Sequence, residues 1–198
     1  GTAIVRGNQH TIDMRRTDPI ETPVGVQLFG ASVEDVVAAA RFCEDKFDVI
    51  DVNCGCPAWK VIKTGAGSEM LKKPEGISTF INKLATAVSK PVTLKIRIGI
   101  DETSVNAVEI AKLAEDAGAA AIAVHGRTQK QGYSGTANWD VIKQVKEAVN
   151  IPVIGNGDVF SPETFKKRLD ESGVDAILVA RGAIGKPYLF TQINEYLK

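Results

Sequence analysis

Short β-branched and apolar runs recur along the chain, separated by longer stretches in which apolar residues return every three or four positions. The runs are Val24 to Phe29, Val49 to Val52, Val92 to Ile98, Ala121 to Val124, Val153 to Gly155 and Ala176 to Ala180. Each has the length and bounding turn residues of a buried strand. The stretches between them carry helix start and stop signals. Ser32 caps a helix from about Val33 to Asp45, and Pro74-Glu75 opens another through about Val88. Thr103 or Ser104 begins a third that ends near Gly118. Asn138 begins a fourth to about Val149, and Ser161-Pro162-Glu163 a fifth that stops at Gly173. Strands alternating with helices at a repeat of about 25 to 30 residues predict parallel βα units, the rhythm of a TIM (β/α)8 barrel in the α/β class.

Polar residues interrupt the strands at regular positions. Thr93, Lys95 and Arg97 fall on one face of their strand; Ala121, Ala123, His125 and Arg127 share a face of theirs, and Asp51 with Asn53, and Gly25 with Gln27, repeat the spacing. Polar groups at one height on four strands predict the floor of a binding pocket at the mouth of the barrel.

The junction Asn53-Cys54-Gly55-Cys56-Pro57 follows directly on an apolar strand. A thiol on a loop held by a rigid strand stands at a fixed height above a pocket, so Cys56 is the first catalytic candidate. Cys54 reads as strand-end packing, and Cys43, on a helix face with Val36 and Ala40, as core. The segment Asn53 to Lys73, rich in Gly and Lys, reads as an extended loop that could serve as a lid. Farther on, Gly155-Asn156-Gly157-Asp158 and Ala180-Arg181-Gly182-Ala183 each follow a strand. Glycines in the last two βα loops let backbone N–H groups approach a phosphate, and Arg181 adds charge-assisted hydrogen bonds.

Composition narrows the class without naming it. The 198 residues are 44% hydrophobic and carry 24 basic and 24 acidic side chains, so one globular domain is expected and no electrostatic signature marks a nucleic-acid partner. Basic side chains do cluster locally, at Lys60 with Lys63, Lys72 with Lys73, and Arg127 with Lys130. No run suits a membrane span or a signal peptide, which makes a cytoplasmic setting the default. The three cysteines form no Cys-x-x-Cys pair, so neither a metal site nor dithiol chemistry is expected.

Taken together, Asn53-Cys54-Gly55-Cys56-Pro57 with Lys60-Val61, Gly65-Ala66-Gly67-Ser68, Leu94-Lys95-Ile96-Arg97, Val124-His125-Gly126-Arg127-Thr128, Gly155-Asn156-Gly157-Asp158 and Ala180-Arg181-Gly182 resemble, in order and spacing, the tRNA-dihydrouridine synthases. The resemblance implies a TIM barrel that binds FMN tightly, takes electrons from NADPH and reduces a uracil in tRNA. Gln27, Lys95 and His125 would contact the isoalloxazine ring, and Asn156, Gly157, Asp158, Ala180, Arg181 and Gly182 its phosphate end. Asn53 would orient the uracil, while Lys60, Arg97 and Arg127 would meet the RNA. Hydride would pass from flavin N5 to uracil C6, and Cys56 would protonate C5 as general acid. The target base would have to leave its stack to reach the pocket.

Some of that family pattern is missing. The first strand with its Pro-Met-Ala-type segment, the helix after it and the C-terminal helical RNA-binding domain are not found. Gly1 to Val5 reads as part of the second strand, so residues 1–198 are expected to form a partial catalytic barrel with exposed strand edges. Two other readings compete. A dihydroorotate or dihydropyrimidine dehydrogenase-like FMN enzyme would act on a free pyrimidine, but such enzymes favour Ser-Cys-Pro-Asn where this chain has Gly55-Cys56-Pro57-Ala58. A non-catalytic RNA-binding barrel would have no use for Cys56, Lys95 and His125.

Overall fold

All six apolar runs become strands, and they pair in chain order. The computed structural model describes residues 1–198. Helices α1 (Thr2–Val5) and α2 (Gln9–Asp13) precede β1 (Gly25–Leu28), α3 (Val33–Cys43) and β2 (Val49–Cys54). Then come α4 (Trp59–Ile62), a 3-10 helix (Gly67–Lys72), α5 (Pro74–Ala87), β3 (Val92–Arg97), α6 (Ala107–Asp116), β4 (Ala121–His125), α7 (Trp139–Ala148) and β5 (Val153–Asn156). The last part holds α8 (Pro162–Ser172), β6 (Ala176–Leu178), a 3-10 turn (Arg181–Ala183) and α9 (Leu189–Tyr196). Neighbouring strands are all parallel, in the order β1-β2-β3-β4-β5-β6. The sheet is an open arc, an incomplete TIM barrel.

Side-chain alternation gives the arc two unlike faces. In β2, Ile50, Val52 and Cys54 are buried while Val49, Asp51 and Asn53 are only half so; in β3, Val92, Leu94 and Ile96 are buried against half-buried Thr93 and Lys95. The buried set joins the core with Val36 of α3, Ile81 and Leu84 of α5, Ile110 of α6 and Ile142 of α7. Fully burying each such aliphatic side chain stabilises by roughly 1.5–3 kcal/mol, so the layer between sheet and helices dominates the folding energy. The inner face is left to polar groups. Register aligns them: Asn53 lies beside Lys95, Arg97 beside His125, and His125 beside Asn156.

Helix ends follow the local chemistry. Ser32, Asn138 and Ser161 accept the backbone N–H groups of Asp35, Val141 and Thr164 at 3.2, 3.1 and 3.2 Å, and Gly173 ends α8 at a φ of 67°. Helix α6 starts later than Thr103 or Ser104. The Asp101 carboxylate accepts the Thr103 N–H at 3.2 Å and the Ser104 hydroxyl at 2.8 Å, holding both in a local turn.

Two other expectations need correction. Residues 2–5 are helix α1, not strand: Thr2 donates its hydroxyl to Asp35 of α3 at 2.5 Å and Ile4 is buried against the core. So short an apolar run has no period of its own, and its packing partner decides its state. The segment from Asn53 to Lys73 is no free loop either. Its 3-10 helix buries Ser68 and Leu71, and the Cys56 carbonyl accepts both the N–H and the hydroxyl of Ser68, at 3.1 and 2.9 Å. Gly67, at a φ of 63°, is wedged in so closely that a Cβ would lie 2.7 Å from that carbonyl. The segment is a packed cover over the strand ends.

No helix is long and apolar enough to cross a membrane. Because Leu94 is wholly buried between sheet and helices, Leu94→Ala is expected to lower unfolding free energy by about 2–5 kcal/mol in urea titration.

Candidate active site

At the C-terminal ends of the strands lies a cavity of about 300 Å³ that Gln27, Cys56, Lys95, His125, Tyr133 and Arg181 help to line. That volume is at the small end for ligand sites. Every residue nominated from the sequence lines it except Lys60 and Arg127. Lys60 is exposed on α4, outside the cavity.

A chain of side-chain hydrogen bonds builds the wall that carries Cys56. Asp51 accepts the Thr93 hydroxyl at 2.6 Å and the Gln27 amide N–H at 2.7 Å. The Gln27 carbonyl accepts from the Asn53 amide at 2.8 Å. Asn53 Oδ1 in turn accepts the N–H groups of Gly55 and Cys56 at 3.1 and 2.9 Å. Cys56 is half-buried and lines the cavity, whereas Cys54 is sealed in the core with its Sγ 3.8 Å from Met70 Sδ. Burial pushes the Cys54 thiol up, reinforced by the Asp51 charge, so it remains protonated and inert.

Positive charge gathers on the floor. Burial, and then the neighbouring Arg97 charge, lower the Lys95 ammonium to about 8 against a smaller opposing pull from Asp51. Burial together with Arg97, Lys95 and Arg127 pushes His125 down to about 3, so its imidazole is neutral near pH 7. Arg127 can only donate, so His125 Nε2, 3.5 Å from Arg127 Nη1, is the acceptor and Nδ1 carries the proton. Burial also raises Asp51, partly offset by its bonds from Thr93 and Gln27 and by the Lys95 charge.

The two nominated RNA contacts next to this floor have other work. Arg97 is 3% exposed; its Nε donates to the Gly55 carbonyl at 3.1 Å and its Nη1 to the carbonyls of Thr128 and Gly132 at 2.7 and 2.8 Å. It lines the cavity as a clamp between the Cys56 loop and the loop after β4. Arg127 is 2% exposed and pairs with both oxygens of Asp158 at 2.9 Å, while donating to the carbonyls of Ser134 and Gly135 at 3.0 and 2.6 Å. The alternation expected through Arg127 fails because its N–H turns back onto the His125 carbonyl at 2.8 Å, ending β4 two residues earlier. Both guanidiniums are thus held by the protein's own groups, Arg97 on the cavity lining and Arg127 behind it.

Asp158 anchors the opposite wall. It sits at a φ of 53°, a left-handed conformation that aspartate tolerates, and also accepts the Ala137 N–H at 2.7 Å. Burial opposes its charge, yet the Arg127 bonds, the Ala137 N–H and the Arg181 charge hold its carboxyl below the usual range. Asp158 therefore aims two arginines from the cavity wall. Arg181 stacks 4.5 Å from the Tyr133 ring centroid, and its Nη2 is 3.4 Å from Asp158. Asn156 spends its amide N–H on the Leu178 carbonyl at 2.8 Å, joining β5 to β6. Packing requires glycine at Gly157 and Gly182: a Cβ on the first would lie 2.5 Å from Ala137 Cβ, and one on the second would strike the Val159 carbonyl; at Gly157 the φ of 134° demands it as well. Sequence reading missed Tyr133 and Phe160, aromatics at the mouth that are 63% and 50% exposed. The Gly132-Tyr133-Ser134-Gly135 turn was the available sign, an aromatic held out between glycines.

An arc of parallel strands with a polar cavity at their C-terminal ends is the arrangement of a (β/α)-barrel. A known architecture agrees: the crystal structure of the Amycolatopsis orientalis BexX/CysO complex contains a chain that matches with a TM-score of 0.57 at 19% identity, over 84% of this chain and 62% of that one. That likeness is one of fold. The family model for dihydrouridine synthase (Dus) matches residues 1–198, and the chain belongs to that family. tRNA-dihydrouridine synthase B of Shewanella oneidensis is 46% identical over 87% of this chain and 54% of its own length. The protein of that name from Pseudomonas putida is 44% identical over 89% of this chain and 52% of its own. The chain spans about half the length of the curated relatives it matches.

Breaking the buried pair would strip Asp158 of the guanidinium that pairs with both its oxygens and take the Arg127 bonds from two carbonyls, so Arg127→Met is expected to destabilise the fold by about 3–5 kcal/mol in denaturant titration. Lys95 sets a pH signature. Between about pH 8 and 10.5 the unfolded chain keeps a proton at this site that the folded chain has lost. Stability from this group therefore rises with pH across that window. Melting curves of Lys95→Met, compared with the unaltered protein, are expected to lack that rise.

Proposed function

We propose that residues 1–198 form the flavin-binding part of a catalytic barrel that reduces the C5–C6 double bond of a uridine in tRNA, with FMN as resident cofactor and NADPH as reductant. Membership of the dihydrouridine synthase family supports the reaction. The observation that carries it is the meeting of a cysteine, an ammonium, a neutral imidazole and a guanidinium in one cavity. The donor set suits a flavin mononucleotide. Lys95 is a largely enclosed ammonium with no carboxylate hydrogen-bonded to it, its nearest negative neighbour, Asp51, being already engaged by Thr93 and Gln27. From β1 to β6 the arc covers five inter-strand steps of about 4.8 Å, which accommodates an elongated ligand with a ring at one end and a phosphate at the other.

In this reading Gln27, Lys95 and His125 hold the ring, and Arg181, kept in place by Asp158 and Tyr133, takes the phosphate end. When bound, FMN supplies the electrons, drawn from NADPH, that reach uracil C6 as hydride. The positive charge of Lys95 favours any negative charge that develops near it, in a site where little water competes. Asn53 orients the base, and its hold on the Cys56 N–H sets where the thiol stands. Cys56 delivers its proton to C5 and recovers one from solvent at the mouth, which requires the thiol rather than the thiolate. Lys60, exposed beside this loop, takes an RNA phosphate.

Incubation of unmodified tRNA with the protein, FMN and NADPH is expected to add two hydrogens to one uridine, read by mass spectrometry, while free uracil and orotate stay unchanged. Reduction of the free bases alone would refute the RNA substrate. Cys56→Ala is expected to lower turnover by roughly 10² to 10⁴ while flavin still binds; equal turnover in the variant would remove Cys56 from the reaction.

A further inference from the structure

Asp51 does not line the cavity and has no part in the chemistry proposed above, yet it lies at the root of the wall that bears Cys56. A carboxylate has only acceptors to offer. It therefore receives the Thr93 hydroxyl on Oδ1 and the Gln27 amide N–H on Oδ2, at 2.6 and 2.7 Å. Each later bond inherits that choice. With its NH2 turned to Asp51, Gln27 presents its carbonyl to Asn53, at 2.8 Å from Asn53 Nδ2. Asn53 must then turn its own carbonyl to the N–H groups of Gly55 and Cys56. Were either amide reversed, two donors would face each other at one link and two acceptors at the next. The chain is thus held between two ends that admit no choice, the Asp51 carboxylate that can only accept and the Gly55 and Cys56 N–H groups that can only donate.

We infer that Asp51 is a positioning residue: its carboxylate supplies the accepting end that the hydrogen-bond chain through Gln27 and Asn53 requires and so holds the Cys56 loop at its height over the cavity. The consequence for turnover rests on the function proposed above, whereas the hold on the loop does not. Parallel pairing places the parts for it. Gln27, Asp51 and Thr93 are register partners on three adjacent strands, and Asn53 is two residues further along β2 on the same face.

Alkylation of Cys56 by iodoacetamide, in the protein without ligands, tests the inference directly. Cys43 and Cys54 are buried, so Cys56 is the thiol that reacts, and peptide mass spectrometry confirms the site. Asp51→Asn keeps the shape but puts a donor where Thr93 and Gln27 both require an acceptor, and is expected to speed Cys56 alkylation roughly 5- to 30-fold, the effect of loosening one or two hydrogen bonds. Gln27→Glu sets two carboxylates against each other and is expected to do the same. Combining Asp51→Asn with Gln27→Glu restores a consistent chain. Thr93 then donates to the new amide carbonyl at position 51, the NH2 of that amide donates to the new carboxylate at position 27, and the carboxylate accepts from Asn53. The alkylation rate of the double variant is expected to return to that of the unaltered protein, which simple loss of packing would not allow. An unchanged rate in Asp51→Asn, or a double variant as reactive as the single ones, overturns the inference. In the tRNA assay Asp51→Asn is expected to lower kcat with little change in KM. If the unaltered protein makes no dihydrouridine, the proposed function fails, and the alkylation series still decides the role of Asp51.

Discussion

Parallel register is the constraint on which the site depends. Side chains in a strand change face at every residue, so two strands one residue out of step would put lysine in the core and leucine in the cavity. Here Asn53 meets Lys95, and Arg97, His125 and Asn156 follow one another on three adjacent strands. The apolar partners Val52 with Leu94, and Leu94 with Ile122, pin that alignment from the other face. The core beneath the helices thus sets the chemistry above it. A substitution that shifted one strand would disturb both at once.

Two carboxylates carry that order outward from the strands to the loops. Asp51 organises the wall of Cys56, and Asp158 organises the wall of Arg181 through Arg127 and the Ala137 N–H. Between them Lys95, His125 and the enclosed guanidiniums make a floor that is positive yet poorly hydrated. The lowered Lys95 and the neutral His125 are consequences of that crowding rather than separate features. A region so charged and so little solvated favours a ligand that brings negative charge of its own.

Much of this is legible in the sequence. Residue alternation discloses the polar face, because a period of two is a local property, and Ser32, Asn138 and Ser161 announce their helices because a cap needs only its own turn. What stays hidden depends on partners distant along the chain. Arg97 and Arg127 look like RNA contacts because an arginine at a strand end is equally suited to a phosphate and to a carbonyl. Only the loops around Gly132 and Gly135 show that carbonyls take them. Residues 2–5 cannot be read as helix without α3 against them, and the packed state of the 53–73 segment involves the two bonds from Ser68 to the Cys56 carbonyl, twelve residues back along the chain. The glycines around Tyr133 mark an aromatic held out on a turn, but that it faces the cavity depends on where the loop after β4 lies against Arg97 and Arg181.

Cys54 and Cys56 are separated by one residue yet belong to different environments, one thiol in hydrocarbon beside Met70 and the other open to the cavity. A peroxide entering the mouth meets a single sulfur whose neighbour cannot turn to receive it. Damage at Cys56 would then climb from sulfenic to sulfinic acid instead of being caught as an internal disulfide. Protection against such injury falls to whatever fills the mouth, or to small thiols that cap the sulfur from outside.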